Sequence, residues 1–83
     1  MPIEYNKIRN ITARKFISAL IKDGFYLRSQ KGSHQRYYHI DGRMVTVAFH
    51  KSSDTFPLTT LRKMVEDQAR WTEEYFTRLG ILK

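Results

Sequence analysis

The chain has no cysteine, which excludes disulfides, thiolate nucleophiles and cysteine-ligated zinc together. No stretch approaches the roughly 20 apolar residues that cross a bilayer as a helix. The opening Met1-Pro2-Ile3-Glu4-Tyr5 has no cationic segment leading into an apolar run. A soluble, unexported protein of the cytoplasm is expected. Repeats, low-complexity tracts and linkers are also absent. At 83 residues there is room for one domain, residues 1–83, in two layers around a small core. Without covalent staples, its stability must come from packing.

Acidic residues are scarce, 8 against 15 lysines and arginines, and the resulting charge of +7 is unevenly spread. Residues 1–50 hold Lys7, Arg9, Arg14, Lys15, Lys22, Arg28, Lys31, Arg36 and Arg43 against Glu4, Asp23 and Asp41, nine to three. Residues 51–83 are nearly balanced. A basic excess confined to one part of a small protein is the electrostatic footprint of a phosphate-rich partner.

That basic part contains the stretch on which a functional reading turns, Gln30-Lys31-Gly32-Ser33-His34. Gly32 permits a tight turn, Lys31 places a cation beside it, and His34 opens a strand with a side chain that titrates near neutral pH.

The elements around it follow from periodicity and capping. A helix is predicted over residues 13–23, with Thr12 as N-cap, Ile11 packing onto Phe16, and Gly24 as the stop. Ala13, Phe16, Ile17, Leu20 and Ile21 form its apolar stripe. Residues 25–29 read as a first strand, 30–33 as a turn, 34–40 as a second strand, 41–43 as a hairpin loop and 44–49 as a third strand. Val45, Val47 and Phe49 alternate onto the buried face. A polar loop over residues 51–57 leads to a second helix capped by Thr59 or Thr60, with Leu61, Met64 and Val65 inward and an end near Ala69 or Arg70. Thr72 caps a short third helix, with Trp71 packing on Phe76 and Gly80 closing it.

Register decides which way His34 points. A two-residue loop, Asp41-Gly42, pairs His34 with Phe49 and buries it. A three-residue loop, Asp41-Gly42-Arg43, brings Tyr37 inside with Val45, Val47 and Phe49 and sets His34 opposite His50 on the open face. The second register is preferred, because the first buries His34 and Arg36 with no carboxylate to pair them.

The order of elements, together with Gly24-Phe25, Gln30-Lys31-Gly32-Ser33-His34, Asp41-Gly42-Arg43, Val45-Thr46-Val47-Ala48, His50 and Thr60-Leu61-Arg62-Lys63, resembles the HicA family of small RNA-cleaving toxins. The resemblance runs from about residue 7 to residue 76. It implies an α+β fold like that of double-stranded-RNA-binding domains, with helices on one face of a three-stranded antiparallel sheet. It also implies the toxin role in a type II toxin–antitoxin system, cleavage of messenger RNA during translation that depends on His34, and neutralisation by a HicB-like antitoxin covering that histidine. Three positions depart from the family's habit: Thr59 and Arg70 stand where glycine is frequent, and Ile40 where proline is.

RNA carries its own nucleophile, the 2′-hydroxyl, so one placed acid–base group can cleave it, and a histidine with a reference pKa of about 6.5 suits the task. His34 is the candidate general acid or base. Lys31, Arg28 and Arg36 are candidates to hold phosphate, with Gly32 and Ser33 shaping the turn beside them. A Ser33–His34 nucleophilic pair is not expected, since adjacent strand residues leave opposite faces. His50 is a possible accessory group, although a local hydrogen-bonding role suits it as well, and His39 reads as a partly buried, hydrogen-bonded histidine. Of Tyr5, Tyr26, Tyr37 and Tyr38, Tyr38 is the best base-stacking candidate. No metal site or cofactor is expected, because His34, His39 and His50 lack ligand spacing and no carboxylate cluster accompanies them. The alternatives are an RNA-binding module of the same shape that cuts nothing, and a basic protein that only binds an acidic partner.

Overall fold

In a computed structural model of the chain, which describes residue 3 and residues 5–79, the elements follow the order helix, three strands, helix, short helix. Helix α1 (Ala13–Asp23) starts where Thr12 accepts a hydrogen bond from the Lys15 amide on its side-chain oxygen. The next amides are capped from a distance: Ala13 N–H donates to Asp54 O at 2.8 Å and Arg14 N–H to Ser52 O at 3.0 Å. The loop after the sheet is thereby tied to the start of α1. At the other end Gly24 takes φ +103°, and the Gly24 and Phe25 amides return to Ile21 O and Leu20 O. This is the Schellman closure. It uses Phe25 as part of the helix stop, so strand β1 (Tyr26–Lys31) begins one residue later than the apolar pattern predicts. A Cβ at Gly24 would stand 2.9 Å from His39 Nε2, so both conformation and space require glycine there.

Strands β1, β2 (His34–Tyr38) and β3 (Met44–Ala48) form an antiparallel sheet in the order β1-β2-β3. The β1–β2 turn is shorter than the sequence predicts: Lys31 pairs directly with His34, leaving only Gly32 and Ser33 in the loop. Gly32 has φ +60° and Ser33 does not share the positive φ, the pattern of a hairpin turn with glycine first. Arg28 is the extra residue of a bulge between Leu27 and Ser29.

The β2–β3 register corrects the predicted one by two residues. Tyr37 faces Val45, and His34 faces Ala48 rather than His50. The loop has three residues, as preferred, but they are Ile40-Asp41-Gly42, closed by His39 N–H to Arg43 O at 2.9 Å. Gly42 has φ +99°, and a three-residue loop of this type needs its left-handed residue last, not in the middle. A two-residue slip preserves the faces, so Tyr37, Val45 and Val47 are buried and His34 is exposed.

Helix α2 (Leu58–Arg62) begins after Pro57, so Thr59 and Thr60 lie within it and not at its cap. It runs on into a wider π-wound segment (Lys63–Gln68), whose Met64 O receives the Ala69 amide. Leu61, Met64 and Val65 are buried, as their spacing predicts. Helix α3 (Glu73–Arg78) is capped by Thr72, and Trp71 meets Phe76 edge-on at 5.8 Å. Gly80, the expected stop, lies outside the described residues. The helices cover one face of the sheet, with Phe16 packed between Phe56 and Trp71 at 5.8 and 5.2 Å. Ile21, assigned to the α1 stripe, is 58% exposed, and the smaller Ala19 is buried instead. No helix among the described residues is long and apolar enough to cross a membrane.

Arg70 has φ +56°, a left-handed conformation that favours glycine. The reversal lets Trp71 N–H reach Val65 O at 2.8 Å. A side chain in this conformation costs about 1–2 kcal/mol, and glycine's extra unfolded-state entropy returns about 0.5–1 kcal/mol of that. Arg70→Gly is therefore expected to raise the thermal midpoint by a few degrees in a melting experiment; a lower midpoint would show that the arginine side chain holds the corner.

Two carboxylates, exposed Asp41 and half-buried Asp54, act as acid-sensitive clasps. Asp54 accepts the His50 and Lys51 amides at 2.9 and 3.0 Å, and these hold its carboxyl below the usual range. Partial desolvation works against the charge on Asp41, but the backbone N–H and guanidinium of Arg43 outweigh it and lower its pKa as well. Groups depressed on folding stabilise fully above the unfolded pKa of about 4 and lose that contribution as the pH falls through the folded values. The melting midpoint is expected to fall below about pH 4, and less steeply in the Asp41→Asn, Asp54→Asn double variant.

Candidate nucleic-acid interface

The open face of the sheet carries three cross-strand rows. Lys31, His34 and Ala48 form the first, Ser29, Arg36 and Thr46 the second, and Tyr26, Tyr38 and Met44 the third. The Arg28 bulge is what completes the first row. Strict alternation from Leu27, which pairs with buried Tyr37, would send residues 29 and 31 to the helix side. The extra residue reverses the parity and sets Lys31 beside His34.

His34 and Arg36 are both exposed. With Ser29, Gln30, Lys31 and Thr46 they line a shallow depression. Its flanking residues Ala48, Ser29 and Thr46 are small, leaving the imidazole and the two cations open to a ligand. Among the described residues no carboxylate pairs with Lys31, Arg28 or Arg36. The Arg28 guanidinium lies 5.7 Å from the Tyr38 ring centroid, which places cation and ring together on the same face.

The structure thus brings Lys31, His34 and Arg36 together beside the Gly32 turn and sets Arg28 and Tyr38 further along the strands, away from that turn. It sets two others apart. Ser33 and His50 line a separate depression with Gln30, Gly32, Gln35 and Phe49. Ser33 O accepts the Phe49 amide at 3.0 Å, and the His50 amide is held by Asp54, so His50 does not stand opposite His34.

Of the other candidates, Tyr5 and Tyr37 are buried and present no stacking surface. Burial, followed by the hydrogen bond to Glu66, pushes the Tyr5 phenol well up, and burial raises Tyr37 too. His39 is a structural residue, as expected, with Nε2 2.7 Å from Asp23 O and Nδ1 accepting the Asp41 amide at 3.1 Å. A carbonyl can only accept, so Nε2 carries a proton and donates to Asp23 O, while Nδ1 also lies 3.0 Å from Asp41 Oδ1. Among the described residues no group of three His, Asp or Glu side chains is placed to hold a metal ion.

Arg43 contributes to the basic excess of residues 1–50, but its charge is committed within the fold. Its side chain is 10% exposed, donates to Asp23 and Asp41 at 2.8 Å each and to Ala69 O at 2.7 Å, and covers the Phe25 ring at 4.9 Å. Burial lowers its pKa, but the two carboxylates overcome this and raise it. The sequence signal was Asp41-Gly42-Arg43 itself, read only as a loop.

This arrangement, an exposed histidine between cations on an open sheet face, can now be set beside known proteins. A search of curated proteins finds none that matches the chain. A family model described as the HicA toxin of bacterial toxin–antitoxin matches residues 13–70, from the first residue of α1 through the left-handed Arg70. That match covers well over half of the chain, and with the helix–sheet–helix architecture it establishes that the protein belongs to the HicA family, the toxins of bacterial toxin–antitoxin systems.

Proposed function

We propose that the protein is the toxin of a type II pair and acts as a metal-independent endoribonuclease on messenger RNA in the cytoplasm, inhibiting translation. The observation that carries this reading is the first row of the open face, where exposed His34 has Lys31 directly across the ladder and Arg36 two residues along. Lys31 and Arg36 hold the scissile phosphate and offset the charge that develops on its oxygens. The 2′-oxygen attacks phosphorus as the bond to the 5′-oxygen breaks, leaving a 2′,3′-cyclic phosphate and a 5′-hydroxyl. One proton leaves the 2′-hydroxyl and one reaches the 5′-oxygen; His34 carries one of these transfers and water the other. Tyr38, backed by Arg28, offers a stacking surface for a base further along the strand.

The same exposure defines the antitoxin's task. A HicB-like partner that silences the protein must cover His34, and an acidic face would complement Lys31 and Arg36. The test is incubation of purified protein with labelled messenger RNA in excess chelator. Cleavage leaving cyclic-phosphate and 5′-hydroxyl ends supports the proposal. Salt-sensitive RNA binding without cleavage would replace it with a non-catalytic RNA-binding module of the same shape.

A further inference from the structure

We propose that the second depression, on the helix side of the β1–β2 hairpin, reads one unpaired nucleobase of the RNA and so selects where the strand is cut. It is lined by Gln30, Gly32, Ser33, Gln35, Phe49 and His50. The proposal rests on the RNA-cleaving reading above and adds a specificity site to it.

The lining is chemically unlike that of the His34 depression. It has no lysine, arginine or carboxylate, so it is built for a neutral polar group, whereas phosphate suits the Lys31, His34 and Arg36 side. Gln30 lines both depressions, which joins them across the shoulder of the hairpin. At the turn between them, a Cβ added to Gly32 would meet nothing within 4 Å, so the ridge is low and uncrowded. A strand whose phosphate lies at His34 can turn one base over this ridge.

The two glutamines are direct cross-strand partners on the face opposite His34. The Tyr37 hydroxyl donates to Gln35 Oε1 at 2.7 Å. That bond holds the amide by its oxygen, and Nε2 makes no hydrogen bond to any described residue. Gln30 Nε2 makes only a long 3.5 Å contact to Gly32 O, leaving its Oε1 to accept. A pinned donor beside an acceptor matches the paired groups on a base edge, which glutamine reads through both ends of its amide. Phe49 and His50 supply rings against which a planar base can lie. Base edges are available in this way only in unpaired RNA, so the substrate class is single-stranded.

The test measures binding of four short homo-oligoribonucleotides, one per base, to the His34→Ala protein, so that no strand is cut during the titration. One base is expected to bind at least about fivefold more tightly than the weakest. Gln35→Leu should remove that preference while leaving the weakest oligonucleotide unchanged. Tyr37→Phe, which frees the amide without altering the shape of the core, should reduce it. In the protein retaining His34, Gln35→Leu should redistribute the cut positions on a natural messenger. Equal affinity for all four bases, or a ranking blind to both Gln35→Leu and Gln30→Leu, overturns the proposal. A Gln35-dependent preference in a protein that never cleaves would sustain this site and sink the nuclease reading; cleavage with a ranking blind to both Gln35→Leu and Gln30→Leu would do the reverse. Absence of RNA binding overturns both.

Discussion

Replacing His34 with alanine is expected to slow RNA cleavage by about 10²–10⁴-fold, the usual contribution of one positioned acid–base group. RNA affinity should change little, because the phosphate contacts belong to other side chains. Lys31→Ala and Arg36→Ala should instead weaken binding to all sequences alike, each lowering the slope of log affinity against log salt by about one. Melting midpoints should be unaffected, since His34 is exposed and its ladder neighbour Ala48 is small and exposed too. The measurement is single-turnover cleavage of end-labelled RNA in chelator, with anisotropy titrations at several salt concentrations. An unchanged cleavage rate in His34→Ala would remove this residue from the chemistry. A parallel loss of affinity would instead make it a binding residue.

Asp23→Ala should produce a large loss of stability. Asp23 Oδ2 accepts from the Arg43 guanidinium at 2.8 Å and from Trp71 Nε1 at 2.9 Å, and both side chains of the ion pair are only 10% exposed. This oxygen ties the end of α1, the β2–β3 loop and the chain after α2 into one joint. Its removal strips Trp71 Nε1 of its acceptor and leaves the Arg43 guanidinium only the exposed Asp41 and Ala69 O, so the cost is about 3 kcal/mol, the low end for breaking a buried pair. That is a large share of the roughly 5–15 kcal/mol holding a domain of this kind. A fall of more than about 12 °C in melting midpoint follows at about 4 °C or more per kcal/mol. The Asp23→Leu, Arg43→Met pair should cost less than the sum of its single changes, since neither buried charge then stands without the other, and the Asp41 left behind is exposed. Strict additivity in urea melts would show that the two side chains are not coupled.

Much of this fold is legible locally. Helix α1 and both its caps follow from Thr12, Gly24 and the spacing of Phe16 and Leu20, because capping and periodicity act over a few residues. The inward faces of β3 and α2 are legible for the same reason. Errors arise where the deciding contact is remote. Ile21 is more apolar than Ala19, yet what lies over the helix decides which is covered, and that is Ala19. Arg43 looks like a free cation until Asp23, 20 residues earlier, meets it.

The helix–sheet–helix order and the basic excess around His34 are legible in the sequence, since they rest on alternation, turn residues and charge counts; His34 keeps the preferred outward face because a two-residue slip preserves parity. Three further features depend on how distant segments pair. The bulge at Arg28 turns Lys31 onto the His34 face, and a bulge is a property of two paired strands rather than of one. The placing of Gly42 last in its loop sets Ala48, not His50, opposite His34. The pairing of Gln30 with Gln35, under a hydroxyl from Tyr37, creates a polar pocket from residues that carry no signal singly.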